Sequence, residues 1–211
     1  MLIEKIKIMK MIRNCYFDIR PRQSGKTTEL LKLANNFKEV NNIFITLNNH
    51  VKSNIHKHNV YNRTYTIHCI KGVVNRPRLY TQEEFSEERL KGLIFENVFI
   101  DEYLLFKEEN QSKIYQILKN IPGVFDVYIK TTPSKMINKN KLLLIKEAKK
   151  NNIDLKELLS LFKTINENEI KYLYYNLLTH PNAKIDVKYD YIKNSYDPEA
   201  FKMEYQGQFY L

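Results

Sequence analysis

No run of apolar residues in this sequence reaches the roughly 18 that a bilayer crossing needs, so a membrane-spanning helix is not expected. Met1 to Met11 is broken by Glu4, Lys5, Lys7 and Lys10. It lacks the unbroken apolar core of a secretory signal, and a soluble, intracellular chain is expected. Cysteine is nearly absent: Cys15 and Cys69 stand without a C-x-x-C partner, which excludes a disulfide scaffold and suits buried thiols in a reducing compartment. His56, His58 and Cys69 have no fourth ligand at a sensible spacing, so a structural zinc site is not expected. There is no internal repeat. Acidic residues are in deficit, 24 against 34 Lys and Arg, and the formal net charge of +10 favours a polyanionic partner by long-range attraction.

What is present is enough to fold. The chain is 43% hydrophobic with 15 Tyr and 11 Phe, and its 211 residues suit one α/β domain with a small appendage. Cys15 to Ile19, Ile43 to Leu47, Thr64 to Ile70, Asn97 to Ile100 and Val124 to Lys130 read as strands, and Ile43 to Leu47 as one buried on both faces. Thr27 to Phe37, His50 to Tyr61, Thr81 to Lys91 and Asn110 to Asn120 carry helical spacing, and Lys71 to Arg78 reads as a loop. From Met136 the texture turns helical: Lys141 to Lys150, Asp154 to Ile165 and Asn166 to Thr179. Lys184 to Ile192 alternates like a strand, and Asp197-Pro198 opens a last helix that Gly207 stops. The expectation is an α/β fold with a mostly parallel central sheet flanked by helices. Residues 1–135 form its core, 136–183 a helical lid-like subdomain, and 184–211 a closing strand and helix.

The chain is organised around Arg20-Pro21-Arg22-Gln23-Ser24-Gly25-Lys26-Thr27-Thr28, set between a strand and a helix. This is the G-x-x-x-x-G-K-[ST] phosphate-loop pattern with Arg20 in place of the first glycine. Gly25 lets the backbone turn closely around an anion, and successive amides at the helix start point at phosphate oxygens. Lys26 is expected to reach the β- and γ-phosphates of ATP, and Thr27 to offer its hydroxyl to Mg²⁺. Downstream, an apolar strand ends in Asp101-Glu102, expected on a strand adjacent to the loop's own. Asp101 would contact hydrated Mg²⁺ and Glu102 would polarise the attacking water. Arg22 is the candidate to neutralise charge developing on the γ-phosphate. Thr131-Thr132-Pro133 closes another strand on the same side and is the candidate to sense that phosphate. For nucleic acid, Lys135, Lys139, Lys141, Lys146, Lys149, Lys150, Arg76 and Arg78 are candidates for phosphate contacts without base reading.

Pro21 to Thr27, Val98 to Glu102, Thr131 to Ser134 and Asp197-Pro198-Glu199-Ala200-Phe201…Glu204-Tyr205…Phe209 follow one another in the order of four motifs of viral large terminases. The chain resembles the ATPase motor domain of that family. The resemblance implies a P-loop NTPase of the additional-strand, conserved-glutamate class that pumps double-stranded DNA into a procapsid in the host cytoplasm. It further implies a ring, commonly of five subunits, docked on a portal protein with a small terminase subunit as a further partner. Lys26 and Thr27 would bind ATP and Mg²⁺, Arg22 would sense the γ-phosphate, Glu102 would activate water, and Thr131 to Pro133 would couple hydrolysis to movement. The family's nuclease domain is not expected within these residues. A second reading, a nucleotide-gated DNA-binding ATPase of the replication or transposition loader type, shares the strand order; a third is a P-loop kinase of a small metabolite, against which Glu102 directly after Asp101 and the absence of an evident Arg-rich lid argue.

Overall fold

The computed structural model describes residues 10–37, 41–57, 78–133, 139–160 and 167–187. Six strands, β1 (Lys10–Ile19), β2 (Asn42–Thr46), β3 (Arg78–Thr81), β4 (Asn97–Asp101), β5 (Gly123–Thr131) and β6 (Ala183–Val187), form one sheet in the order β3-β2-β4-β5-β1-β6. Every neighbouring pair is parallel. Helices α1 (Lys26–Asn36), α2 (Asn49–Lys57), α3 (Glu87–Leu90), α4 (Glu108–Asn120), α5 (Lys139–Lys150), α6 (Leu155–Ser160) and α7 (Glu167–Tyr174) flank it. The expected α/β class with a parallel, helix-flanked sheet is thus what the chain adopts.

β2 and β4 read NIFIT and NVFID, and every residue in both is buried. Such uninterrupted apolar runs need cover on both sheet faces. On one face Tyr16, Tyr128, Phe99 and Phe44 are direct register partners and stack in a row, with ring centres 5.2, 5.3 and 6.4 Å apart. Leu30, Leu31 and Ala34 of α1 and Ile55 of α2 pack with Phe44 and Phe99 over this row. That packing fixes α1, and with it the loop that precedes it. On the other face Ile114, Ile117 and Leu118 of α4, Leu142 and Ile145 of α5, Leu159 and Leu173 share one core with Phe17, Ile19, Ile100 and Ile129. The helical stretch expected as a lid therefore contributes its apolar face to the same core as the sheet.

Both central strands open on a buried asparagine. Asn97 Nδ2 donates to Asn42 Oδ1 at 3.1 Å, and Asn42 Nδ2 donates to the Phe37 carbonyl at 2.8 Å. Asn42→Leu removes both bonds and leaves the buried Asn97 amide without its acceptor, at a cost of about 1–3 kcal/mol. The expected result is a melting temperature lower by several degrees; an unchanged melt would remove this clip from the stabilising contacts.

Two local expectations differ. Thr81 to Lys91 is not one helix: Arg78–Thr81 pairs with β2, and only Glu87–Leu90 is helical. The Thr81–Glu84 pair does form a reciprocal cap, Glu84 N to Thr81 Oγ1 at 3.2 Å and Thr81 N to Glu84 Oε2 at 2.9 Å. It closes a single turn because Gln82 and Phe85 are drawn inward. Gln82 Nε2 donates to the Leu47 carbonyl, and its Oε1 accepts from Lys107 N and Asn110 Nδ2. Likewise α7 stops at Tyr174, since buried Asn176 turns the chain by bonding Gln111 Oε1 and Leu178 N. The strand expected over Thr64 to Ile70, the Asp197 to Phe209 segment and Met1 to Met9 lie outside the described residues, as do Arg76, Ser134 and Lys135.

Candidate functional site at the carboxyl ends of the strands

In a parallel sheet all carboxyl ends meet on one side, and ligands bind in the crevice there. β1 leaves the sheet at Ile19 and turns through Gln23 (φ 59°) and Gly25 (φ 79°) into α1. A side chain at Gly25 would meet that left-handed strain, which accounts for the one retained glycine. Pro21 O, inside the turn, accepts from Ser24 Oγ at 2.8 Å and from Lys26 Nζ at 2.9 Å. Gly25 is the N-cap and supplies no side-chain acceptor, so the first amides of α1 keep their donors for an anion.

Arg20, which stands where the expected phosphate-loop pattern has its first glycine, is an ionic strut. Its guanidinium pairs with Asp18 at 2.9 Å and with Glu29, and it reaches the Ser24 carbonyl at 3.4 Å. Lys130, at the tip of β5, pairs with the same two acids at 2.5 and 3.0 Å. Neither Asp18, Glu29 nor Lys130 was singled out from the sequence. The only signal was Glu29 in the first turn of α1, where an acid suits the helix dipole. The Arg20 bond, then Lys130, holds the Glu29 carboxyl down to about 2 from its ordinary 4.5. Its contribution to stability is therefore present above pH 4.5 and lost as pH falls through about 2. Glu29 is half exposed, so Glu29→Gln should cost under about 1 kcal/mol at pH 7. The melting difference from the parent should close at the acid end; a gap that persists there would assign the effect to packing.

Across from the loop stand the two carboxylates. Thr27 Oγ1 lies 3.0 and 2.9 Å from the two oxygens of Asp101, and Lys26 Nζ lies 3.3 Å from Glu102 Oε1. Asp101 and Glu102 were expected on the strand adjacent to β1. Instead β5 is interposed, pairing with β1 on one side and β4 on the other. The interposition matters chemically, because the tip of β5 then touches the carboxylate. Thr132 N donates to Glu102 Oε2 at 2.7 Å, Glu102 N donates to the Lys130 carbonyl at 2.9 Å, and Leu104 N donates to Thr131 Oγ1 at 3.0 Å. Glu102 itself sits at φ 58°, a conformation that costs a non-glycine residue about 1 kcal/mol or more. That strain turns its side chain out of the strand's alternation and back toward Lys26 and Thr132.

No protein-family model matches the chain, and no curated protein does. The geometry therefore carries the reading of the site. Asp101 is almost wholly buried, and burial, followed by the charge of Glu102, pushes its carboxyl up to about 7 against the opposing pull of Thr27 and Lys26. A carboxyl so placed gains most from a cation. Among the described residues no three or more His, Cys, Asp or Glu converge as a metal cage. One buried carboxylate beside one hydroxyl is instead the hard-oxygen set of an ion that keeps most of its waters, and Mg²⁺ fits it. Of the other loop residues, Pro21 is buried, Arg22, Gln23 and Thr28 are exposed, and Thr131, Thr132 and Pro133 are buried. Thr132 Oγ1 has no hydrogen-bond partner. No helix among the described residues is long and apolar enough to cross a membrane.

Proposed function

We propose that the chain is a Mg²⁺-dependent ATPase of the P-loop, additional-strand class, driving translocation of double-stranded DNA as in the viral terminase motors it resembles. The observation that carries the ATPase reading is the meeting of Lys26 and Thr27 with Glu102 and Asp101 across β5. The strand interposed between loop and carboxylates supports the additional-strand class in particular. Lys26 and the first amides of α1 bind and orient the β- and γ-phosphates, and Gly25 permits their close approach. Thr27 and Asp101 would hold Mg²⁺, which supplies charge neutralisation on the phosphate oxygens when bound. Glu102 accepts the proton of the attacking water as the water oxygen bonds to the terminal phosphorus and the bond to the β,γ-bridging oxygen breaks. Arg22, exposed on the loop, is the candidate to bend over the reacting phosphate. Thr132, bonded through its amide to Glu102, ties that carboxylate to the chain leaving β5, which is where a coupling segment belongs.

Duplex DNA, a portal protein and assembly into a ring come from the terminase resemblance, supported by the net charge of +10. The test of the central reading is phosphate release from ATP by the purified chain, with and without Mg²⁺ and duplex DNA. Release that needs Mg²⁺ and Lys26 supports it. Tight ATP binding with no release in any condition, or phosphate transferred to an acceptor other than water, would replace it with a nucleotide-gated binder or a kinase.

A further inference from the structure

The lysines at the carboxyl end of α5 do not belong to the site above. Lys146, Lys149 and Lys150, with Pro181, Asn182 and the first residues of β6 including Lys184, line a cavity of about 300 Å³. None of the described lining residues is acidic. Among the described residues none of the four lysines forms an ion pair with a carboxylate, although the chain holds 24 Asp and Glu. Lys149 is half-buried, donates to the His180 carbonyl, and is pulled down to about 8 by burial. Lys146, Lys150 and Lys184 are exposed. The Lys184 ammonium lies 5.4 Å from the centre of the Tyr16 ring, on the sheet face away from α5. This edge of the described sheet thus has cations on both sides, from α5 on one face and from Lys184 of β6 on the other.

We propose that this cationic rim binds backbone phosphates of duplex DNA. The inference deepens the proposed function and rests on it for the choice of DNA as ligand. Lys146 and Lys150 are one helical turn apart, about 6 Å along α5, and Lys184 adds a cation on the opposite face of the same sheet edge. Ammonium groups spread over two faces of one edge suit a repeating phosphate chain rather than one small anion. The rim is also set back from the nucleotide loop. Ala183 pairs with Cys15, whereas the loop begins beyond the Ile19–Val187 pair; four residues of strand span about 13 Å. DNA held there leaves the loop open to ATP.

The experiment compares the full chain with Lys146→Ala/Lys150→Ala/Lys184→Ala and with a control triple of exposed lysines elsewhere, Lys91→Ala/Lys113→Ala/Lys119→Ala. Binding to a short duplex DNA is measured as a function of salt, and Mg²⁺-ATP hydrolysis without DNA is read on the same preparations. The rim triple should lose affinity at least about tenfold, equally for unrelated sequences, and its log affinity against log salt slope should fall by about 3. Its DNA-free hydrolysis should match the parent, because none of the three touches the loop. Equal losses in both triples, an unchanged slope in the rim triple, or no DNA binding by the parent would overturn the proposal. A duplex RNA arm separates the sources of phosphate: parallel losses on both duplexes support the rim as a backbone site, and loss on RNA alone overturns the choice of DNA. If the parent fails to hydrolyse ATP while the rim triple still loses DNA, the ATPase reading falls and the rim stands.

Discussion

Glu102→Gln is expected to abolish ATP turnover, by roughly 10²–10⁴-fold, while ATP binding stays within a few-fold of the parent. The two consequences separate because of where the carboxylate sits. Its Oε2 accepts from Thr132 N at 2.7 Å and its Oε1 lies 3.3 Å from Lys26 Nζ. A glutamine keeps the size and the bond to Thr132 but can no longer take a proton from water. Lys26 retains its bond to the Pro21 carbonyl, so the proposed cradle for the phosphates survives. The measurement is phosphate release in single turnover beside equilibrium binding of labelled ATP. Loss of binding in step with turnover would mean that Glu102 holds the loop in shape and does not act on water. Turnover that survives the substitution would move the proton acceptor elsewhere.

Asp101→Asn should give the opposite signs for activity and stability. Turnover that needs Mg²⁺ should fall by about 10³-fold or more, because a neutral amide is a poor partner for a hydrated divalent ion. The ligand-free protein, in contrast, should become more stable than the parent at alkaline pH. Burial raises the Asp101 carboxyl from 3.8 to about 7. A raised acid stabilises the fold fully below its unfolded pKa, and that contribution is lost as pH climbs through the folded one. Asparagine has no such dependence. The melting temperature of the variant minus that of the parent should thus grow between pH 4 and pH 8. A difference of order 2 kcal/mol corresponds to about 4–8 °C for a domain of this size. Saturating Mg²⁺-ATP should reverse the order, since only the parent gains binding energy from the metal. A melting difference that is flat across this pH range would mean that Asp101 stays charged in the folded protein and that Lys26 and Thr27 outweigh its burial.

The strength of the Asp101 case lies in something the amino-acid order does not contain, namely depth. Asp-Glu after three apolar residues can be read as a strand end carrying two acids. That one acid is buried against Thr27, and that the other bends back at φ 58° to meet Lys26 and Thr132, follows from packing. The same holds for Arg20. In the sequence it is a departure from the phosphate-loop pattern. In the fold it is tied by Asp18 and Glu29, with Lys130 brought beside them by the pairing of β5 with β1. Local rules also failed where a side chain was claimed from afar. Thr81 and Glu84 made their cap, yet buried Gln82 ended the turn, and Asn176 did the same after α7.

By itself the sequence determined what depends on spacing along the chain. The uninterrupted apolar runs of β2 and β4 require cover on both faces, and Gly25-Lys26-Thr27 sets a tight turn at a helix start. Asp101 and Glu102 stand at a strand's carboxyl end. Only the tertiary structure decided which strand lies between loop and acids, which charges surround Arg20, and which lysines gather at the edge of β6. Apart from Asp18 and Glu29, which are near Arg20 in the chain, those are contacts between residues tens of positions apart. They are fixed by how two faces of a sheet fill with side chains, a property of volumes and register that no local pattern records.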